Sequence, residues 1–333
     1  MTGFKNGGLN GGLNGGLNGG LNGGFSSAPS GGKSWSGGSS STQLPFSPPL
    51  KRAKIAAEKL KYFNNPDLEF PRSAWSPALR AQVIVSQFAA RDWRQELTTT
   101  DYRKRSNEFR SETTANKPGL LGELLTLLSM RNNKRQEFAN EIAAQVNGTE
   151  LYWSNAFMIG IENKPNSTIL MAVAMAVGQL VGMHFKDHWN RARPVQFAPS
   201  LMPIIPTPAH PSYPSGHALQ AYLTMHLLSA AAKASEGDAL HDYFASFAER
   251  IAVNREIAGV HFPTDKLESA DLAEQIWEGH LSELPAIQEL LAHAWSEWEN
   301  NLNPEEFELD SLAEGPVSFA DQMASEIAAK LPS

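Results

Sequence analysis

Residues 165–194 read PNSTILMAVAMAVGQLVGMHFKDHWNRARP. Pro165 suits the first turn of a helix, where its missing N–H would have no acceptor. The run from Ile169 to Met183, interrupted by Gln179, is the longest apolar stretch in the chain. At 15 residues it is shorter than the roughly 20 a membrane-spanning helix needs. It therefore predicts a core helix, continuing through Gly182 towards Lys186, and no transmembrane segment. At its polar end Lys186 and Arg193 are seven residues apart, nearly on one face at about 3.6 residues per turn. Pro194 biases Arg193 out of the helix, so its guanidinium can bend back. An ammonium and a planar fork converging on one point suit a tetrahedral oxyanion. Taken singly, the pair equally describes two solvated surface cations.

Outward from this stretch the chain reads as helices punctuated by proline and glycine. Ser76-Pro77 opens one with a stripe of Leu79, Val83, Ile84 and Phe88. Pro118 to about Val146 gives another, with Leu121, Leu124, Leu125, Leu128 and Met130. Further helices are expected from Pro214 to about Ala234, Asp238 to Val260, Asp265 to Gly279 and Pro285 to Glu299. Strand signals are nearly absent. The reading is an all-α helical bundle over residues 46–303, long enough for a sizeable core. Trp75, Trp93, Trp153 and Trp189 punctuate the apolar stripes and are expected to pack, with Trp189 a candidate for the wall of a pocket.

Residues 1–45 are different. Residues 7–22 are four copies of Gly-Gly-Leu-Asn, and 15 of the chain's 26 glycines lie in the first 40 residues. So little apolar surface cannot offset the entropy of ordering, and a flexible tail is expected. Residues 304–333 turn acidic and then amphipathic, with Phe319, Met323 and Ile327 at four-residue spacing. That stripe is expected to dock on the parent bundle or on a separate partner.

The 333 residues carry 28 basic and 35 acidic side chains, a net charge of −7. Bulk charge gives no reason to expect nucleic acid or an anionic membrane as partner. No cysteine is present, which excludes disulfides, thiolate metal sites and a cysteine nucleophile. The first residues lack a basic-then-apolar leader, so a soluble, cytoplasmic protein is expected.

Two further segments carry chemistry. In Pro211-Ser-Tyr-Pro-Ser215-Gly216-His217 the prolines hold an extended approach to a helix. Ser215 can cap it, Gly216 leaves its N–H open, and His217 lies in the first turn, where helix N-termini bind anions. In Asn254-Arg255-Glu-Ile-Ala-Gly-Val-His261-Phe-Pro-Thr-Asp265, Arg255 supplies a third cation. Asp265 can return to one nitrogen of His261, fixing its tautomer and leaving the other nucleophilic. Alone, each also fits an ordinary capped helix.

Together, in this order and spacing, the three segments resemble the signature of the type 2 phosphatidic acid phosphatase / vanadium haloperoxidase superfamily: Lys-x6-Arg-Pro, Pro-Ser-Gly-His, then Ser-Arg-x5-His-x3-Asp. The match falls on Lys186, Arg193, Pro194, Pro214, Ser215, Gly216, His217, Arg255, His261 and Asp265, about a quarter of the chain. Asn254 stands where the family usually has serine or threonine. The resemblance implies a helical bundle with its pocket among the central helices. It implies that Lys186, Arg193, Arg255, Ser215 and the Gly216 N–H hold non-bridging oxygens. It implies that His261 attacks phosphorus, Asp265 orients it, and His217 protonates the leaving oxygen and then activates water.

The same signature serves the other branch, in which vanadate sits in the pocket on His261 and the substrates are halide and hydrogen peroxide. The three motifs do not separate the branches. His210 stands where bromoperoxidases carry a histidine, whereas the size of the ordered region, about 260 residues, is nearer soluble acid phosphatases. The expectation is a phosphoric-ester hydrolase with a small phosphorylated substrate and no cofactor. A vanadate-dependent haloperoxidase is the alternative, and a non-catalytic assembly component a lesser one. Bundles of this superfamily often form homodimers. His184 and His188, with Asp187 between, have two-ligand spacing, but nearby Lys186 and Arg193 would repel a cation and no metal is expected.

Overall fold

The computed structural model describes residues 74–110, 117–146 and 148–299. The Gly-Gly-Leu-Asn tail, residues 46–73 of the expected bundle and the C-terminal stripe lie outside them. Among the described residues the secondary structure is helical, apart from one isolated bridge between Arg110 and Pro118.

Among the described residues the helices of seven or more residues are α1 (Pro77–Ala89), α2 (Tyr102–Glu108), α3 (Gly119–Asn133), α4 (Arg135–Ala144), α5 (Glu150–Phe157), α6 (Pro165–Trp189), α7 (Gly216–Ala231), α8 (Ala239–Ile257), α9 (Pro263–Ile276) and α10 (Pro285–Glu299). α6 is the axis: α1, α7 and α10 pack around it, and α7 also packs on α8 and α9. α6 and α7 approach closely at Gly178, where a Cβ would stand 2.8 Å from Gln220 Cγ. The aromatic core lies on either side, with Phe88 stacked on Trp93 and Trp153 on Phe157.

α6 also corrects an expectation. It is 25 residues long and, by length and composition, apolar enough to cross a membrane. Helical residues on both sides of the apolar run extend it beyond the 15 residues read from composition. In this fold 72% of its most apolar window is buried by the other helices.

Two apolar stripes sit differently from their expected faces. On α1, whose first turn is capped by Ser76 accepting from the Leu79 N–H at 3.4 Å, the buried row is Ala81, Ile84 and Phe88. Leu79 and Val83 are exposed, because that four-residue row is rotated away from the row facing α6. The segment 118–146 is two helices, broken at Lys134 (φ −124°, ψ −23°). The buried face of α3 is Gly119, Gly122, Glu123, Thr126 and Leu127, and Leu121 is exposed. A carboxylate thus occupies the centre of a face that leucine spacing assigns elsewhere.

α8 ends at Ile257, three residues before the expected Val260. Gly259 adopts φ +83°, a left-handed value that terminates helices, and the Val260 N–H returns to the Arg255 carbonyl at 3.2 Å. His261 therefore lies in the connector between α8 and α9 rather than on a helix. Pro263 then starts α9, and Asp265 in its first turn accepts the Phe262 N–H at 3.0 Å.

Candidate active site

α6 closes at Asn190 in a left-handed conformation, so Arg193 reaches the site from an extended segment. Lys186 is buried and donates to the carbonyls of Pro211 and Ser212, each at 3.0 Å, and of Pro214. It braces the 211–214 loop from below. Arg193, also buried, donates from Nε to the His210 carbonyl at 2.9 Å and from NH1 to the Val260 carbonyl at 2.8 Å. NH1 also lies 3.0 Å from His261 Nε2, and NH2 lies 3.1 Å from His210 Nδ1.

These contacts fix the tautomer of His261. A guanidinium only donates, so Nε2 must accept from Arg193. A carboxylate accepts, and Nδ1 lies 3.0 Å from Asp265 Oδ2. The proton is therefore on Nδ1 and the lone pair on Nε2. Burial, Arg193 and Lys186 depress the His261 pKa well below the ordinary value, against the pull of Asp265. Burial works to raise the Asp265 pKa, but Arg191, His261 and Ser212 hold it below the usual carboxylate range.

Ser215 is the N-cap residue of α7, but its side chain makes no cap bond. Its Oγ is buried without a partner, whereas its N–H donates to the Asp265 carbonyl at 3.1 Å. Gly216 opens α7, where an N–H has no intrahelical acceptor. A Cβ there would lie 4.0 Å from Lys186 Cε. His217 Nε2 donates to the Gln145 carbonyl at 3.1 Å. Burial and Arg255, with Lys186 and Arg193, lower its pKa to about 3, so its ring is neutral at neutral pH.

Arg255 is buried and donates from NH2 to Gln145 Oε1 at 2.7 Å. Its Nε and NH1 have no partner, nor does Asn254 Oδ1. Burial lowers the Arg255 pKa to about 10, and that of Arg193 to about 10. The site is thus a concentration of buried cations and orphaned donors with too few anions. Unpaired buried donors cost roughly 1–3 kcal/mol each, more when charged. Four oxygens of a tetrahedral anion would satisfy them.

Residues 167–277 match the family model described as the PAP2 superfamily. This segment belongs to the PAP2 superfamily. Two solved structures also resemble the chain. One is a bacterial vanadium-dependent iodoperoxidase, 14% identical over 56% of this chain and 51% of its own, TM-score 0.38. The match therefore spans about half of that enzyme's length. The other is a transmembrane PAP2-type phosphatidylglycerolphosphate phosphatase from Bacillus subtilis, 15% identical over 68% and 98% of the two chains, TM-score 0.28. No curated protein matches the chain.

Within the PAP2 segment, Lys186, Arg193, His210, His261 and Asp265 form one connected network, and Asn254, Arg255 and His217 meet at Gln145. Ser215 joins the first through its N–H on the Asp265 carbonyl, and Gly216 lies beside Lys186. Trp189 is set apart: its Nε1 donates to Thr99 Oγ1 at 2.9 Å, and its ring meets Tyr213 edge-on behind the loop. His184 packs edge-on against Trp93.

Four participants are not marked by the motifs. Ser212 donates to Asp265 Oδ2. Gln145 holds Arg255 with its side chain and His217 with its carbonyl. Arg191 and Glu123 lie behind Asp265. A lone acid inside GLLGELLTLL (119–128) is the one local sign for Glu123, since an acid in a leucine run is costly unless paired.

The pKa shifts fix a sign for pH dependence. Partly buried His210, His217 and His226 are lowered to about 4, about 3 and about 4, each first by desolvation. Unfolded histidine titrates near ~6.5, so the unfolded chain binds more protons below that pH. The stability these groups contribute is complete above ~6.5 and lost as pH falls towards the folded values. Thermal melts from pH 8 to 4.5 are expected to show Tm falling on the acid side. The His217→Gln protein should fall less steeply, and an equal slope would contradict the assignment.

Proposed function

We propose that the protein hydrolyses phosphate esters through a phosphohistidine on His261. The carrying observation is a buried imidazole whose Nδ1–H is held by Asp265 and whose Nε2 lone pair faces the cations, beside the orphaned donors of Ser215 and Arg255.

The phosphoryl oxygens take the Arg255 Nε and NH1, the Ser215 hydroxyl and the Gly216 N–H. Lys186 adds positive charge from its loop-bracing position, and Arg193 NH1 exchanges its bond to His261 Nε2 for a phosphoryl oxygen, which frees that lone pair. The dianion offsets the cations that depress His217, which raises its pKa and lets it carry a proton. The His261 Nε2 lone pair then forms a bond to phosphorus as the ester P–O bond breaks. The leaving oxygen takes the His217 proton. Neutral His217 next accepts a proton from water as its oxygen bonds to phosphorus. The P–N bond breaks, its electrons return to Nε2, and phosphate leaves. Asp265 balances the charge that His261 carries between the two steps. Donors fixed before the charge develops make the largest contribution in such sites, and the proton transfers add roughly 10²–10⁴-fold.

The second reading rests on His210, whose Nδ1 meets Arg193 NH2 at 3.1 Å. Vanadate has the shape and charge of phosphate, and the orphaned Ser215 and Arg255 donors fit it with His261 as the nitrogen partner. Bound there, it would supply activation of peroxide for halide oxidation.

The test is an aryl phosphate assay without added metal, beside halide oxidation with vanadate and peroxide. Phosphate release that vanadate inhibits is expected. Halogenation with no phosphate release would overturn the hydrolase reading in favour of the second.

A further inference from the structure

Behind His261 and Asp265 lies a buried ion cluster for which the reaction just proposed has no use. Arg191 is 3% exposed, and both carboxylates it meets are fully buried. Its NH1 donates to Asp265 Oδ1 at 2.7 Å and to Thr264 Oγ1 at 2.8 Å. Its NH2 donates to Glu123 Oε2 at 2.7 Å. The Phe262 ring lies against the guanidinium, 3.8 Å from its carbon to the centroid. Glu123 is held in turn by Ser106 Oγ at 2.5 Å and by Thr264, from N at 3.2 Å and from Oγ1 at 2.5 Å.

The two oxygens of Asp265 divide their work. Oδ2 accepts from His261 Nδ1, from the Phe262 N–H and from Ser212 Oγ. Oδ1 accepts from Arg191. Rotation of the carboxylate would exchange the two and break the His261 bond. A guanidinium forked between two carboxylates resists that rotation, because its plane fixes both directions at once.

We infer that Arg191, clamped between Glu123 and Asp265, is the positioning residue that locks the Asp265 carboxylate and, through it, the Nδ1–H bond and ring orientation of His261. Glu123 completes the device. With Asp265 as its sole anion, Arg191 would draw on the charge that Asp265 supplies to the imidazole. Glu123 takes the other half of the guanidinium. One cation between two carboxylates leaves one negative charge for the imidazolium-like His261 that phosphorylation creates.

The kinetic arm rests on the reading of His261 as nucleophile, and the spectroscopic arm does not. The variants are Arg191→Lys, whose single ammonium cannot fork, and Glu123→Gln, which keeps the shape and removes the charge. In proton spectra the His261 Nδ1–H of the native protein is expected far downfield and slow to exchange. In both variants that resonance is expected to move upfield and exchange faster, while the Arg193 donor keeps the tautomer unchanged. Turnover of an aryl phosphate should fall about 10–100-fold, the usual cost of removing a partner that orients a reacting imidazole. Competitive inhibition by inorganic phosphate should stay within about threefold, since other residues hold the anion.

An unmoved Nδ1–H resonance in both variants would overturn the inference. So would phosphate affinity falling in step with turnover, which would mark a general loss of structure. A shifted resonance with unchanged turnover would uphold the clamp and sink the assignment of His261 as nucleophile. If Arg191→Lys does not fold, Glu123→Gln carries the same three readouts.

Discussion

A His261→Ala protein is expected to release phosphate from an aryl ester at no more than about 10⁻⁴ of the native rate. Removing an attacking group from a site whose parts act together typically costs 10⁴-fold or more, leaving only binding and preorganised donors. The expectation follows from the geometry around Nε2. This lone pair faces Arg193 NH1 at 3.0 Å, and its ring is held from the other side by Asp265 at 3.0 Å. The imidazole is neutral, because burial and the neighbouring cations depress it, and it can attack without first losing a proton. Rapid-quench labelling should find an acid-labile phosphoenzyme in the native protein and none in the variant. Undiminished turnover in His261→Ala would remove the pocket from the chemistry altogether and leave the assembly-component reading standing.

Arg255→Gln is the second large effect, with a loss of about 10²–10³ in kcat/KM, or about 2.7–4 kcal/mol of transition-state stabilisation. Arg255 spends NH2 on Gln145 and the Ile142 carbonyl, keeping Nε and NH1 uncommitted. Those two atoms are buried without a partner, and in the proposed reaction they are the donors that meet the anion. The same substitution has a readout without turnover. Inorganic phosphate at a hundred times its Kd is expected to stabilise the native protein by about 2.7 kcal/mol, and the rise in Tm should largely vanish in Arg255→Gln. A full rise in the variant would place the anion elsewhere.

The parts of this molecule that were readable in advance are those written locally. Ser76-Pro77, Pro165 and Pro285 start helices where capping and a fixed φ predict. The three motifs place seven side chains in one buried region because each is positioned by its own turn: Asp265 by the start of α9, His261 by the Gly259 reversal, Ser215 by the start of α7. What escaped was decided at long range. Glu123 and Arg191 are 68 residues apart, and nothing near either announces the other. Their pairing also explains the misassigned face of α3, since a face built to bury a carboxylate does not follow the leucines. The stripe on α1 failed differently: two apolar rows compete there, and only contact with α6 selects between them.

α6 runs as one unbroken rod from the packed middle of the bundle to the ammonium of Lys186. That ammonium ties down the loop carrying Ser212 and Ser215. Fraying at the reactive end therefore draws on the same cooperative unit as melting the whole domain. Amides in the last turns of α6 should exchange with deuterium almost as slowly as those at its midpoint. Heat should abolish turnover and ellipticity together, in a single transition.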